Sequence, residues 1–77
     1  MKKYIVVEAN DISFDLYISE AFDTEDEASR LLYIHFRDIL SNRKGCECDD
    51  IEVTKRYYRT IFSNGDTFYG QVREVEV

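Results

Sequence analysis

Apolar and polar residues alternate along the start of the chain, which is typical of a half-buried β-strand. The alternation covers residues 5–9, stops at Asn10-Asp11 and resumes over 12–18. Asn and Asp both tolerate the positive φ of a two-residue turn, so the pattern predicts a hairpin in which Ala9 pairs with Ile12. This register puts the apolar residues on one face, which we expect to face the core. Those residues are Ile5, Val7, Ala9, Ile12, Phe14, Leu16 and Ile18.

A helix is predicted after this hairpin, beginning at Asp23 or Thr24 and ending near Ser41. Thr24 and Glu27 have the spacing of a capping box, and acidic residues in the first turn suit the positive end of the helix dipole. Positively charged residues and a glycine, at 43–45, are typical of a helix end. At 100° per residue, one stripe should cover the hairpin; it consists of Ala28, Leu31, Leu32, His35, Phe36 and Ile39.

A second hairpin is predicted over residues 51–77, because Asn64-Gly65 is a strong turn signal between two alternating runs. Centring the turn there pairs Ile61 with Phe68, and a bulge near Arg73-Glu74 would return the last valines to the core face. In this register Tyr57 also pairs with Val72, while Tyr58 and Phe62 point away from the core.

The predicted element order is therefore ββαββ. We expect a single α+β domain over residues 1–77, in which two antiparallel hairpins form a four-stranded sheet with one helix packed on one face.

The chain is short and acidic, with 77 residues, a net charge of −6 and a sequence pI near 4.6. Eight acids and no Lys or Arg lie between Tyr4 and Ser29. The N-terminal apolar run of four residues is too short for a signal peptide, and no segment reaches the roughly 20 apolar residues of a membrane span. We therefore expect a cytoplasmic protein that does not enter a membrane.

Candidate catalytic and metal-binding residues are few. His35 is the only histidine, and its position in the helix stripe favours a structural role. Cys46 and Cys48 lack the second ligand pair of a structural zinc site. The acids at the helix start are better explained by their interaction with the helix dipole than as a catalytic dyad. No glycine-rich phosphate loop is present. We expect no enzyme activity, no metal and no cofactor.

A surface that combines acids with outward tyrosines is the leading candidate for binding, since rigid tyrosines offer large contact area at low entropic cost. We expect it to bind a protein partner with a basic surface, acting as an inhibitor or adaptor. Size, acidity and the lack of catalytic motifs resemble the small accessory proteins of phages and mobile elements, in the style of anti-CRISPR proteins. The surface comprises Tyr4, Glu8, Asp15, Tyr17, Glu20, Asp23, Glu25, Asp26 and Glu27.

Two alternatives remain open. Cations interleaved with aromatics on the second hairpin suggest single-stranded nucleic-acid binding, although the net charge of −6 opposes it. A homodimeric scaffold or small-ligand carrier is the other, since apolar residues extend round the helix beyond the core stripe. The nucleic-acid set is Arg56, Tyr58, Phe62, Tyr69 and Arg73, and the oligomer set is Tyr33, Ile34 and Leu40.

Overall fold

A computed structural model describes residues 1–11, 16–42 and 48–77. One helix packs on an antiparallel sheet with strand order β2-β1-β5-β4-β3, so the α+β class is confirmed but the sheet has five strands where four were predicted. The elements are β1 (Lys2–Asn10), β2 (Leu16–Ile18), α1 (Glu25–Asn42), β3 (Cys48–Val53), β4 (Tyr57–Phe62) and β5 (Thr67–Glu76).

The extra strand arises because a turn at Thr54 divides the segment predicted as one strand. The Thr54 hydroxyl accepts hydrogen bonds from the backbone N–H groups of Arg56 and Tyr57, both at 3.1 Å, and the Thr54 N–H donates to the Tyr57 carbonyl at 2.8 Å. The Thr54 side chain thus stabilises a turn that contains no Gly, Asn or Pro. β3 consequently folds back along β4.

The turn at Asn64-Gly65 is where the sequence predicts it, and Gly65 adopts a φ of 93°. The register of β4 and β5 differs from the prediction by one residue, because Thr60 is the residue paired with Phe68. Since a one-residue slip turns every side chain of a strand over, Tyr58 and Phe62 face the helix. The expected outward placement of Tyr58 and Phe62 is therefore wrong; they are 1% and 2% exposed.

The first hairpin also differs from its predicted register, since Ala9 pairs with Leu16 instead of Ile12. The helix packs on the side of β1 that carries Val6, which is fully buried. The expectation that α1 covers Ile5, Val7 and Ala9 is wrong. The face of β1 that α1 covers carries Val6 and Glu8, so the helix does not pack on the more apolar face of this strand. Residues 12–15, where the remaining predicted pairs fall, lie outside the described residues.

β5 is the central strand, with β1 on one side and β4 on the other. Its pairing with β1 runs without a shift from Lys2↔Glu76 to Asn10↔Phe68, so the bulge predicted at Arg73-Glu74 is not present. The irregularity in this sheet lies instead in β3, between Cys48 and Asp50.

The helix begins as predicted, with the Thr24 hydroxyl accepting from the Glu27 N–H at 3.2 Å and donating to the Glu27 carboxylate at 3.0 Å. It ends at Asn42, and the predicted closing residues 43–45 lie outside the described residues. No helix in the described part of the chain is long and apolar enough to cross a membrane. The buried apolar core comprises Val6, Ala28, Leu32, Phe36, Tyr58, Phe62 and Val72.

Candidate functional site

Tyrosines of the predicted binding surfaces lie in different parts of the fold; Tyr4 and Tyr17 belong to the acidic set and Tyr69 to the nucleic-acid set. Tyr4 is half-buried, and its backbone bridges to Phe22. Tyr17 is exposed on the helix side of the sheet, where its ring meets the His35 ring edge-on at 5.4 Å between centroids. Tyr69 is exposed on the opposite face. A continuous tyrosine surface is therefore not formed.

The acids at the start of the helix are exposed, but several have partners within the chain. Asp23 pairs with Lys3, and Glu25 accepts two hydrogen bonds from the Arg56 guanidinium at 2.8 and 3.3 Å. Glu20 and Asp26 make no salt bridge among the described residues. Asp15 lies outside the described residues. The acidic cluster is thus partly neutralised by its own chain.

The predicted nucleic-acid residues do not share a surface either. Tyr58 and Phe62 are in the core, and Arg56 is held by Glu25 at the turn before β4. Tyr69 and Arg73 are exposed and alternate along β5 on the face away from the helix. A stacking platform that uses Tyr58 and Phe62 is not available in this fold.

A hydrogen-bond network that sequence reasoning missed lies between sheet and helix. The Tyr58 hydroxyl donates to the Glu8 carboxylate at 2.5 Å, and the other Glu8 oxygen contacts His35 Nδ1. The Glu8 side chain is only 12% exposed. Burial, followed by the hydrogen bond to Glu8, raises the pKa of Tyr58. The Glu8 carboxylate therefore lies in an internal hydrogen-bond network, whereas the sequence pattern predicts it on an exposed surface.

Gly70 provides the space for this network. A Cβ at position 70 would lie 2.7 Å from the Tyr58 ring and 2.8 Å from the Glu8 side chain. The Tyr58 ring covers the glycine directly across the β4–β5 pair, an arrangement that fixes the register of the two strands.

The network borders a cavity of 350 Å³ that is also lined by Tyr17 and Asp38. No Ser or Cys hydrogen-bonds to His35 among the described residues, so no Ser–His or Cys–His pair is formed there. The Cys48 thiol is half-buried and donates to the Asp50 carbonyl, while Cys46 lies outside the described residues. The described residues contain no group of three or more potential metal ligands.

A groove between the helix and the edge strand β3 forms an apolar concavity in the described part of the chain, with a volume of 580 Å³. Tyr33 and Ile34 of α1 form one wall, and Val53 of β3 forms the other. Ile34 is 54% exposed although the apolar side chain of Val53 lines the same groove. We name this feature the α1–β3 groove; its lining is Asp26, Ser29, Arg30, Tyr33, Ile34, Val53, Thr54 and Lys55.

Two contacts fix the geometry of this groove. The Ser29 hydroxyl donates to the Lys55 carbonyl at 2.7 Å, and the Arg56–Glu25 ion pair joins the same turn to the first turn of the helix. The β3–β4 turn is therefore tied to α1 at one end, whereas no Cα atom of α1 lies within 8 Å of a Cα atom of β3 among the described residues. The groove opens between them.

The groove has a basic rim in an acidic protein. Arg30 and Lys55 line it, and the Arg37 guanidinium lies over the Tyr33 ring at 6.0 Å from its centroid. None of these three cations forms a salt bridge among the described residues, whereas Lys2, Lys3, Arg56 and Arg59 all do. Asp26, at the N-terminal end, is the single carboxylate in the lining.

The face of the sheet away from the helix is a second exposed apolar surface, which we name the open face. Alternation along the strands and cross-strand pairing place Leu16 and Ile18 beside Ala9 and Val7. Leu16 and Ile18 are 64% and 58% exposed. The apolar members of the open face are Ile5, Val7, Ala9, Leu16, Ile18, Tyr57, Ile61, Tyr69 and Val75.

Of the three predicted oligomer residues, two are exposed on the same surface and the third is not. Tyr33 and Ile34 lie in the α1–β3 groove, but Leu40 is half-buried and packs against the core. The helical pattern indicated apolar residues beyond the core stripe. The opposing wall could not be anticipated, because β3 was not predicted as a separate strand.

Comparison with known proteins finds no match: no family model, curated protein sequence or solved structure matches this chain. The two exposed apolar surfaces and the charges around them are therefore the basis for the functional proposals.

Proposed function

We propose that this chain is a protein-binding module that acts by binding rather than catalysis, and that the α1–β3 groove holds an acidic amphipathic helix of a partner protein. The observation that carries the proposal is the groove itself, in which an apolar floor is bordered by cations that lack carboxylate partners among the described residues. Helix-in-groove recognition uses such a combination of apolar anchors and complementary charge.

The width of the sheet supports a helix as the occupant. Five strands at about 4.8 Å spacing span roughly 20 Å, and one helix with its side chains is about 10 Å across. α1 contacts β1, β4 and β5, which leaves the helix side of β3 uncovered in the described structure. Ile51 and Val53 are exposed there. A second helix beside α1 would cover them and pack against Ile34.

Charge supports an acidic partner. Three cations would face the polar side of a helix lying in the groove: Arg30, Arg37 and Lys55. Because none of them forms a salt bridge among the described residues, no carboxylate of the same chain weakens their attraction to an acidic helix. The net charge of −6 would repel an acidic partner elsewhere on the molecule. The basic rim therefore also directs where such a partner docks.

A pair of synthetic peptides tests the proposal. Both are amphipathic helices with leucine at i, i+3, i+4 and i+7; one carries glutamate at its polar positions and the other lysine. Fluorescence anisotropy should show binding of the glutamate peptide, weakening as salt rises. Ile34→Asp and Arg30→Glu should each weaken it about tenfold or more, a change of about 1.4 kcal/mol.

Ile18→Asp is the matched control, because it puts the same change at a similarly exposed isoleucine on the opposite face. It should leave peptide binding unchanged. Equal binding of the two peptides, or an Ile34→Asp variant that binds like the unmodified chain, would contradict the groove as the site. Far-UV circular dichroism checks that each variant is folded.

A second candidate function is binding of a basic protein through the acids around the helix start. It is favoured by the exposure of Glu20 and Asp26, which have no salt bridge among the described residues. The lysine peptide examines this candidate in the same assay. Binding that is lost in a Glu20→Lys, Asp26→Lys double variant but kept in Ile34→Asp would support it over the groove.

A further inference from the structure

We infer that two copies of this chain pack face to face through their open faces. This inference concerns the side of the sheet opposite the α1–β3 groove and does not depend on the proposed function. Stacking one sheet on another is a standard way to bury an apolar sheet face that has no helix on it.

The apolar content of the open face argues for such a contact. One row across β2, β1 and β5 consists of Ile18, Val7 and Gln71, and the next row consists of Leu16, Ala9 and Tyr69. Exposed apolar side chains that lie next to one another in this way often mark an interaction surface.

The charges on the open face permit close approach of two copies. Arg59 contacts Asp50 at 3.0 Å and Glu52 at 3.5 Å, and these three side chains share the face. Lys3 is held by Asp23. Most of the charge on this face is therefore neutralised locally, whereas the unpaired acids Glu20 and Asp26 lie around the start of the helix.

The face is also self-complementary. A two-fold axis crossing the strands at the row of Val7 would place Ile5 of one copy opposite Ala9 of the other, a large residue against a small one. The same axis would place Arg73 opposite the second copy's Tyr69. Arg73 has no salt bridge among the described residues, and an exposed tyrosine ring offers it a cation–π contact.

The area of the open face is large enough for two copies to pack together. The five strands contain 34 residues. Each strand residue occupies about 16 Å² of sheet, from a rise of about 3.4 Å and a strand spacing of about 4.8 Å. The flat area is thus about 550 Å², and side-chain relief increases it toward the roughly 800 Å² that each partner buries in a standard interface.

Sedimentation velocity over a wide range of protein concentration tests the inference. The unmodified chain should sediment with twice its 9.1 kDa mass. Ile18→Asp should raise the dimer dissociation constant at least about thirtyfold, because it places two carboxylates close together in a desolvated contact. Arg73→Glu, a milder change at another exposed position, should also weaken the dimer.

Ile34→Asp is the control and should remain dimeric, since its site lies on the other side of the sheet. A monomer at every concentration would overturn the inference. So would a dimer that is unaffected by both Ile18→Asp and Arg73→Glu, which would point to pairing through the edge strands β2 or β3. Peptide binding is read separately, so failure of the dimer does not count against the groove.

Discussion

At the scale of single residues, the most consequential side chain is Tyr58. The pattern of the second hairpin placed it on the surface, but it is in the core, with its hydroxyl donated to Glu8. Most buried hydroxyls in proteins have a hydrogen-bond partner, and the partner of Tyr58 is the Glu8 carboxylate. Polar contacts among Tyr58, Glu8 and His35 thus connect β4, β1 and α1.

Tyr58 should make stability fall at alkaline pH. Its pKa is raised in the folded chain, mainly by burial, so the folded state holds a proton that the unfolded state releases above about pH 10. The stabilising contribution is complete below that pH and is lost as pH rises further. Tyr58→Phe should show a shallower decline in the free energy of unfolding above about pH 10, measured by urea titration at several pH values.

The same substitution should cost about 1–3 kcal/mol at neutral pH, because the buried Glu8 carboxylate loses a donor. Tyr69→Phe is the matched control, since the Tyr69 hydroxyl is exposed and makes no hydrogen bond among the described residues. It should decline with pH like the unmodified chain. Identical alkaline slopes for Tyr58→Phe and the unmodified chain would show that Tyr58 is not the group responsible.

At the scale of elements, local signals were sufficient for the helix and the Asn64-Gly65 turn. The capping box and the 3.6-residue stripe lie within one element, so no knowledge of packing is needed to find them. The strand registers were not predictable in this way. The choice between pairing Gly70 with Arg59 or with Tyr58 depends on the Tyr58 ring filling the space above the glycine, which is a contact between two strands.

The helix cap provides a prediction at this scale. Thr24→Ala should lower the free energy of unfolding by about 1 kcal/mol, since the Glu27 N–H loses its acceptor at the exposed helix start. Thr24→Ser keeps a hydroxyl and should retain most of the stability. Thermal or urea unfolding of the three proteins makes the comparison, and an alanine variant as stable as the serine variant would argue against the cap.

At the scale of the whole molecule, the two exposed apolar surfaces lie on opposite sides of one sheet. This arrangement could not be predicted from the sequence, because the assignment of the covered face was inverted and β3 was not recognised. Ile5, Val7 and Ala9 were correctly grouped as one apolar face, but the partner assigned to them was wrong. The side of β1 that α1 occupies carries Val6 and Glu8, so the local alternation of β1 favoured the opposite side.

Opposite placement makes the two proposals compatible in one assembly. Two copies joined by their open faces would expose both α1–β3 grooves, so the dimer should bind two glutamate peptides with equal affinity. Ile18→Asp should bind one peptide per monomer at the same affinity per groove. Isothermal titration calorimetry gives both numbers, and one peptide per dimer would mean that the grooves are coupled or obstructed.

The position of β5 has a consequence for how the chain is made. Of the five strands, β5 is the last in chain order, and it lies in the middle of the sheet, where it joins the β1–β2 pair to the β3–β4 pair. During translation these two pairs have no edge in common until residues 67–76 have left the ribosome, so the sheet can close only at that point. Nascent chains stalled before β5 emerges should therefore remain protease-sensitive, and should gain protection abruptly once it does.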